Sequence, residues 1–145
     1  MTTTAPTLNA RVIALAHHAA RTLAEGALTR HGITFHQSVT LRAVSAAGGS
    51  VPHDELVAEI RDSLKTTEPL VRTVVGELLT AGLLAQEDSL LHLTETGRDL
   101  YGTTAAATAE IAARLYADIP AGDLAVAGRV LTLITDRANA ELGTG

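Results

Sequence analysis

The histidines are the residues of this chain best suited by type to acid–base or metal chemistry. There are six of them, and the absence of cysteine excludes disulfides and thiolate chemistry. His17 and His18 are adjacent, so on a helix their side chains point about 100° apart and cannot face one site together. His17 has apolar neighbours at helical spacing, and His36 lies near the start of a predicted helix. For both, a structural role is the simpler interpretation and contact with a ligand is the alternative.

No other pattern in the sequence predicts a catalytic or metal site. The chain has no His-x3-His or carboxylate–histidine spacing suited to a metal, so we predict no metal ion and no other cofactor. His53-Asp54-Glu55 is more simply the solvated start of a helix, and Gly48-Gly49 is a helix stop and not a phosphate loop. The sequence therefore identifies no catalytic residue.

The stretch from Thr67 to Leu83 has the features of a capped amphipathic helix. Thr67 can accept a hydrogen bond from a first-turn amide, and Pro69 is tolerated there because those amides lack partners. Gly82 stands where helices commonly end in a left-handed turn. An apolar stripe recurs at helical spacing through Val71, Val74, Val75 and Leu78. This pattern is typical of the recognition helix of a winged helix-turn-helix, and an ordinary core helix is the alternative.

The flanking segments predict a mostly helical chain. After a polar arm at residues 1–6, further helices are predicted at about residues 8–28, 34–47, 52–64, 94–117 and 123–142. Two short apolar runs, Leu83–Gln86 and Leu90–Leu93, surround Glu87-Asp88-Ser89 and predict a β-hairpin. The last helix has a wider apolar surface than one chain would cover, which predicts contact with a second subunit.

Composition indicates a soluble protein with an aliphatic core. Apolar residues make up 46% of the chain and aromatic residues only 2%, so Leu, Val, Ile and Ala must fill the interior. No run approaches the roughly 18 apolar residues of a membrane span, and the N-terminus lacks the pattern of a secretory signal. We therefore expect a cytoplasmic protein that has no membrane partner.

The negative charge is concentrated in the segment that looks like a DNA-binding module. Residues 35–100 contain five basic and ten acidic side chains, which accounts for the whole net charge of -5. The flanking segments contain six residues of each sign. Because DNA affinity depends strongly on neutralising phosphates, this distribution opposes DNA binding.

Four motifs follow one another along the chain: Ile33–Gln37 with Gly48-Gly49, the apolar series from Ile60 to Leu78, Ala81-Gly82-Leu83, and Leu93–Arg98. Their order and spacing resemble the MarR family of bacterial transcription regulators. The resemblance covers nearly the whole chain and implies a single domain, residues 1–145. Within it, a winged helix-turn-helix at 34–98 is flanked by N- and C-terminal dimerisation helices at 8–30 and 99–143. The family's Asp-x-Arg in the wing is absent here, and the wing is short.

The resemblance also implies two sets of site residues. The side chains at the turn and on the recognition helix that could contact double-stranded DNA are Lys65, Thr66, Arg72 and Thr73. A small-molecule pocket between the dimerisation helices and the winged part is expected to be lined by His17, His36 and Tyr101. A histidine there with a pKa near neutrality could act as a general acid or base.

Two functions follow from these observations. The first is a homodimeric DNA-binding transcriptional regulator whose affinity for DNA is modulated by a small molecule. The alternative is a protein that keeps the MarR fold and pocket but has lost DNA binding, and acts as a small-molecule-binding protein or an enzyme. The family resemblance favours the first, and the acidic winged segment favours the second.

Overall fold

The computed structural model describes residues 6–144, which form six helices and three short strands. In chain order these are α1 (Ala10–Arg30), α2 (Phe35–Ala46), β1 (Ser50–Pro52), α3 (His53–Leu64), α4 (Glu68–Thr80), β2 (Leu84–Glu87), β3 (Leu90–Leu93), α5 (Glu95–Leu115) and α6 (Ala121–Thr144). The predicted mostly helical, winged helix-turn-helix fold is confirmed. The predicted polar arm lies outside the described residues, except for Pro6.

Helix boundaries follow local chemistry that the sequence had already indicated. Thr34 caps α2 through a reciprocal capping box, in which its hydroxyl accepts from the Gln37 amide at 3.1 Å and the Gln37 side chain accepts from the Thr34 amide at 3.0 Å. Gly82 adopts φ +75° after α4, which is the left-handed turn predicted there. Lys65 ends α3 with φ 53° and turns the chain into α4.

The cap of α4 is one point where the prediction was wrong in detail. Thr67 is the N-cap residue, but its side chain makes no cap hydrogen bond. An N-cap side chain bonds the amide of the second or third helical residue, and the second residue here is Pro69, which has no amide hydrogen. The same proline that favours the helix start thus removes one of the two partners of the cap.

The wing is a hairpin that joins a third strand. β2 and β3 pair antiparallel around a tight turn at Asp88, whose φ is 55°. β1 pairs antiparallel with the other side of β3, so the strand order is β1-β3-β2. β1 was not predicted because three residues ending in proline carry no readable periodicity, and only pairing with β3 makes them a strand.

The described residues form two compact units, which divide after Ile111. In the first unit, α2, α3, α4 and the sheet enclose an aliphatic core. The predicted stripe of α4 is part of that core, and its four residues are at most 7% exposed. The other large side chains that are completely or almost completely buried are Leu41, Val44, Leu56, Leu84 and Leu91. This core fixes which face of α4 turns outward.

Candidate nucleic-acid interface and ligand cavity

The burial of one stripe of α4 leaves the opposite face of this helix exposed. Arg72 and Thr73 lie on that exposed face, between core residues Val71 and Val74. Lys65 is exposed in the turn before α4, and Thr66 is partly buried there, with its amide bonded to the Arg61 carbonyl at 3.1 Å. The four residues predicted to contact DNA therefore all lie in the turn or the first two turns of α4.

Two of these side chains are only lightly engaged within the protein. The Lys65 ammonium donates one hydrogen bond to the Asp62 carbonyl at 2.8 Å, which leaves two of its three donors for another partner. The Thr73 hydroxyl donates to the Pro69 carbonyl at 3.0 Å and keeps its acceptor lone pairs. Lys65 can therefore still donate to a phosphate or to an acceptor on a base edge, whereas Thr73 can accept from an amino group of a base while its hydroxyl stays bonded to Pro69.

Arg72 is held much more firmly than the other three residues. One carboxylate oxygen of Glu68 accepts from Arg72 Nη2 at 2.6 Å and from Nε at 3.0 Å. A carboxylate oxygen of Asp54, on the neighbouring helix α3, lies 3.6 Å from the same Nη2. Hydrogen bonding to Glu68 raises the pKa of Arg72 above its ordinary value. Its remaining unengaged donors are mainly those of Nη1.

The ion pairs around Arg72 continue across the outer faces of α3 and α4. The second carboxylate oxygen of Glu68 lies 3.9 Å from Arg61 Nη1, and Arg61 Nε donates to Asp62 at 3.0 Å. The i,i+4 spacing of Glu68 and Arg72 was readable from the sequence as an ion pair. The parts played by Asp54 and Arg61 were not readable, because they depend on how α3 packs against α4.

The wing presents acidic side chains. Glu87 and Asp88 are exposed at the hairpin, and Glu87 lies 3.8 Å from His92 of the paired strand. There is no lysine or arginine from Leu84 to Leu93. Any contact of the wing with a phosphate would therefore come from uncharged donors such as backbone amides, Gln86 and Ser89, and not from a lysine or arginine.

A first cavity, of about 180 Å³, lies between α1, α2 and α5. Each helix contributes residues at helical spacing, so one face of each helix forms a wall. The lining residues are Ala24, Leu28, Phe35, Ser38, Val39, Arg42, Tyr101, Ala105 and Thr108. Most of the lining is apolar, and an apolar cavity of about 150 Å³ is already large enough to hold benzene.

Arg42 and Tyr101 bring charge and a phenol to this cavity. Among residues 6–144 the Arg42 guanidinium has no ion-pair partner, and its side chain is exposed at the cavity. Tyr101 is half-buried on α5. A guanidinium with unused donors beside an aromatic-sized apolar space suits a small aromatic anion, because arginine binds carboxylates in a bidentate manner.

A second, more polar cavity of about 240 Å³ lies near the start of α2. His36, Arg21 and Glu25 line it, and Arg21 donates to Glu25 at 2.6 Å. The Arg21 guanidinium also stacks 4.0 Å from the centre of the Phe35 ring. Phe35 lines both cavities and so separates them.

The three predicted pocket residues lie in different places. Tyr101 lines the first cavity and His36 lines the second, whereas His17 is exposed on α1 with its ring 5.6 Å from that of His18. Contact of all three with one ligand stays a prediction. Arg42 was not among the residues predicted from the sequence, although a signal was present: Ser38 and Arg42 interrupt the apolar stripe that Phe35 and Val39 begin on α2.

Within the described part of the chain, no three His, Asp or Glu side chains lie close enough to share a metal ion. None of the helices between residues 6 and 144 has the length and apolar character needed to cross a membrane.

Comparison with known proteins gives structural matches only. No protein-family model and no curated protein matches this chain. The ligand-free structure of NadR is similar with a TM-score of 0.76 and 19% identity, over 92% of this chain and 98% of that one. A MarR-family regulator from Rhodococcus sp. RHA1 is similar with a TM-score of 0.72 and 17% identity, over 85% and 89% of the two chains.

A third similar structure is that of a complex with DNA. It contains the MarR-family protein Rv2887 of Mycobacterium tuberculosis, with a TM-score of 0.68 and 24% identity, over 88% of this chain and 98% of that one. The same protein is also known in complexes with salicylic acid and p-aminosalicylic acid. From its six helices, its three-stranded wing and these matches, the chain has the winged helix-turn-helix fold of the MarR family of transcription regulators.

Proposed function

We propose that this chain is a MarR-family transcription regulator that binds DNA as a homodimer and responds to a small aromatic anion. The observation that carries the proposal is the orientation of α4, whose core stripe is buried and whose Arg72 and Thr73 face outward beside the exposed Lys65. A helix presented in this way can enter the major groove, where arginine and threonine reach base edges. The cytoplasm, where DNA is accessible, is its proposed location.

The class of effector follows from the first cavity. Arg42 supplies an unpaired cation, and Phe35 and Tyr101 supply aromatic walls beside a space of about 180 Å³. The complexes of Rv2887 with salicylic acid and p-aminosalicylic acid support an aromatic carboxylate as the first compound to test. His36 remains part of this proposal, because the second cavity, which it lines next to Phe35, would be a second ligand subsite.

The homodimer is proposed from the apolar surface of the terminal helices. The side chains of α6 are exposed along residues 121–143, apart from half-buried Val130. Its exposed large apolar residues are Leu124, Val126, Leu131, Leu133, Ile134 and Leu142. On α1, Leu15 and Leu23 are about half exposed. A second copy of the chain would cover such surfaces, and a dimer would place two copies of α4 about one DNA turn apart.

The test is a titration of the protein against its own upstream DNA at low salt, with Arg72→Ala measured beside it. We expect the wild-type protein to shift this DNA below about ten micromolar, and Arg72→Ala to lose roughly 1–3 kcal/mol of binding free energy per subunit. If neither protein shifts the DNA at tens of micromolar, the regulator proposal fails. If the protein that binds no DNA still binds the ligand, the alternative function is favoured, in which the chain keeps the MarR fold and pocket but has lost DNA binding.

A further inference from the structure

The conformation of Arg72 sets the way in which α4 can read DNA. Glu68 engages the edge of the guanidinium formed by Nε and Nη2, with contacts of 3.0 and 2.6 Å. Asp54 approaches Nη2 from α3 at 3.6 Å. The Nη1 donors and one donor of Nη2 point away from Glu68, because the planar guanidinium carries its five donors in a fixed fork.

We propose that Glu68 is a positioning residue that makes Arg72 a reader of guanine and a poor contact for phosphate. This inference rests on the proposed DNA-binding function and adds a means by which the protein distinguishes one DNA sequence from another. Held on its Nε–Nη2 edge, the guanidinium can present the adjacent edge, formed by Nη1 and the second donor of Nη2, to the O6 and N7 acceptors of a guanine, which is the commonest specific contact in the major groove. Each half-site should therefore contain one guanine that Arg72 recognises.

The charges around Arg72 give the reason for the loss of phosphate affinity. Glu68 neutralises Arg72 locally, and Asp54 adds a second carboxylate 3.6 Å away. A phosphate approaching Arg72 meets these two acids, whereas a guanine edge carries no net charge. The ion pair therefore weakens sequence-independent binding more than it weakens binding to the correct base.

The ion pair also restricts the rotamers of Arg72, which favours base reading. A free arginine has to be fixed in one rotamer when it binds a base, at an entropic cost that a pre-held side chain avoids. Arg72 and Glu68 are four residues apart on one helix, so the helix itself maintains their separation. Removal of Glu68 should consequently improve binding to any DNA and reduce the discrimination between sequences.

The experiment measures the affinity of full-length protein for its own upstream DNA and for an unrelated duplex of equal length. In Glu68→Gln we expect non-specific binding to strengthen about tenfold and the ratio of specific to non-specific affinity to fall by at least about fivefold. The slope of log affinity against log salt for the unrelated duplex should steepen by about one per subunit, as one more phosphate is contacted.

Glu55→Gln is the matched control. Glu55 is exposed in the first turn of α3 and makes no ion pair within the described residues, so its removal changes the net charge of the surface equally without touching Arg72. We expect Glu55→Gln to strengthen binding to both duplexes by similar factors and to leave the ratio of specific to non-specific affinity unchanged. In an Arg72→Ala background, Glu68→Gln should have no more effect on the ratio than Glu55→Gln.

Three outcomes separate this inference from the function on which it rests. If wild-type protein binds its upstream DNA and Glu68→Gln leaves the affinity ratio unchanged, Glu68 does not position Arg72 and the inference is wrong. The inference would also be wrong if Glu68→Gln lowered the ratio of specific to non-specific affinity equally in the presence and in the absence of Arg72. If wild-type protein binds no DNA at all, the proposed function itself has failed, and the inference falls with it.

Discussion

At the scale of single residues, the chemistry of this protein depends on whether an arginine has a partner. Arg72 is paired with Glu68 and approached by Asp54, whereas Arg42 has no ion-pair partner among the described residues. Both are exposed arginines on helices, but only Arg72 was predicted from the sequence to be a site residue. The acidic neighbours of Arg72 hold it in one orientation, whereas Arg42 remains available to a ligand.

Arg42→Met should abolish most of the affinity for an aromatic carboxylate. The substitution keeps an unbranched side chain at the cavity wall but removes a charge-assisted hydrogen bond, which contributes roughly 1.5–3 kcal/mol. Calorimetric titration with salicylate would measure this as a loss of about tenfold or more. Arg11→Met, at an exposed position on α1 outside both cavities, is the matched control and should bind like the wild type. If Arg42→Met bound salicylate as tightly as the wild type does, Arg42 would not be part of the ligand site.

At the scale of elements, the attachment of α5 to the wing depends on one glycine. Thr94 caps α5 by accepting from the Gly97 amide at 2.9 Å, and its own hydroxyl donates to the Gly82 carbonyl at 2.7 Å. This arrangement seats the first turn of α5 against the end of α4 and the start of the wing. Gly97 is buried there, and a Cβ at its position would meet the carbonyl group of Leu83, 2.9 Å from the carbonyl carbon.

Gly97→Ala should therefore destabilise the protein although alanine favours helices. The clash is with backbone, which cannot move aside as a side chain can, so the cost is at the upper end of the roughly 1–3 kcal/mol typical of overpacking. Gly102→Ala, on the same helix with no atom near the added Cβ, should be neutral or stabilise by up to about 1 kcal/mol. Denaturant unfolding of both variants provides the measurement. Equal stabilities would show that α5 does not approach the wing as closely as described.

The capping box of α2 gives a second prediction at this scale. Thr34→Ala removes the acceptor of the Gln37 amide, and we expect a loss of about 0.5–2 kcal/mol in the free energy of unfolding. Thr34→Ser keeps the hydroxyl and should restore most of this stability. Since Phe35 and His36 of the first turn line the cavities, weakened salicylate binding in Thr34→Ala but not in Thr34→Ser would link the cap to the ligand site.

At the scale of the whole molecule, the exposed apolar face of α6 predicts assembly. Ile134 is 41% exposed in the single chain, so Ile134→Asp should leave the fold of that chain intact. In a dimer the new charge would be buried without a partner, which costs several kcal/mol. Light scattering should give about twice the 15.0 kDa chain mass for the wild type and a lower mass for the variant.

Thr132→Asp is the matched control for assembly. It adds the same charge to an exposed position of α6, on the side of the helix away from Ile134, and should leave the mass unchanged. A wild-type protein that is monomeric at micromolar concentration would contradict the dimer and, with it, the reading of two half-sites.

The distribution of charge over the molecule predicts a shallow dependence of DNA binding on salt. Lys65 and Arg72 are the cations predicted to face DNA, and Arg72 is already paired within the protein. Each neutralised phosphate contributes about −0.9 to the slope of log affinity against log salt, so a dimer should give a slope no steeper than about −4. A markedly steeper slope would mean that other basic residues, such as Arg61, break their ion pairs with acidic side chains and bind phosphate instead.

Local sequence patterns were sufficient to predict the six helices, the hairpin of the wing and the core face of α4. Helical periodicity located the stripe of α4, and the cap at Thr34 and the left-handed turn at Gly82 followed from local backbone chemistry, which depends only on neighbouring residues. Two short apolar runs around the polar segment Glu87-Asp88-Ser89 located the hairpin of the wing. These features were predictable because each depends on interactions within a few residues.

Contacts between residues distant in the sequence depend on how the helices and strands pack. The strand β1 exists because β3 pairs with it, and the contact of Asp54 with Arg72 exists because α3 packs against α4. The cavity that joins Arg42 to Tyr101 and Ala24 depends on three helices distant in sequence, and these same contacts leave His17 outside it. Periodicity specifies which face of a helix is apolar, but the packing of one helix on another sets which polar side chains become neighbours.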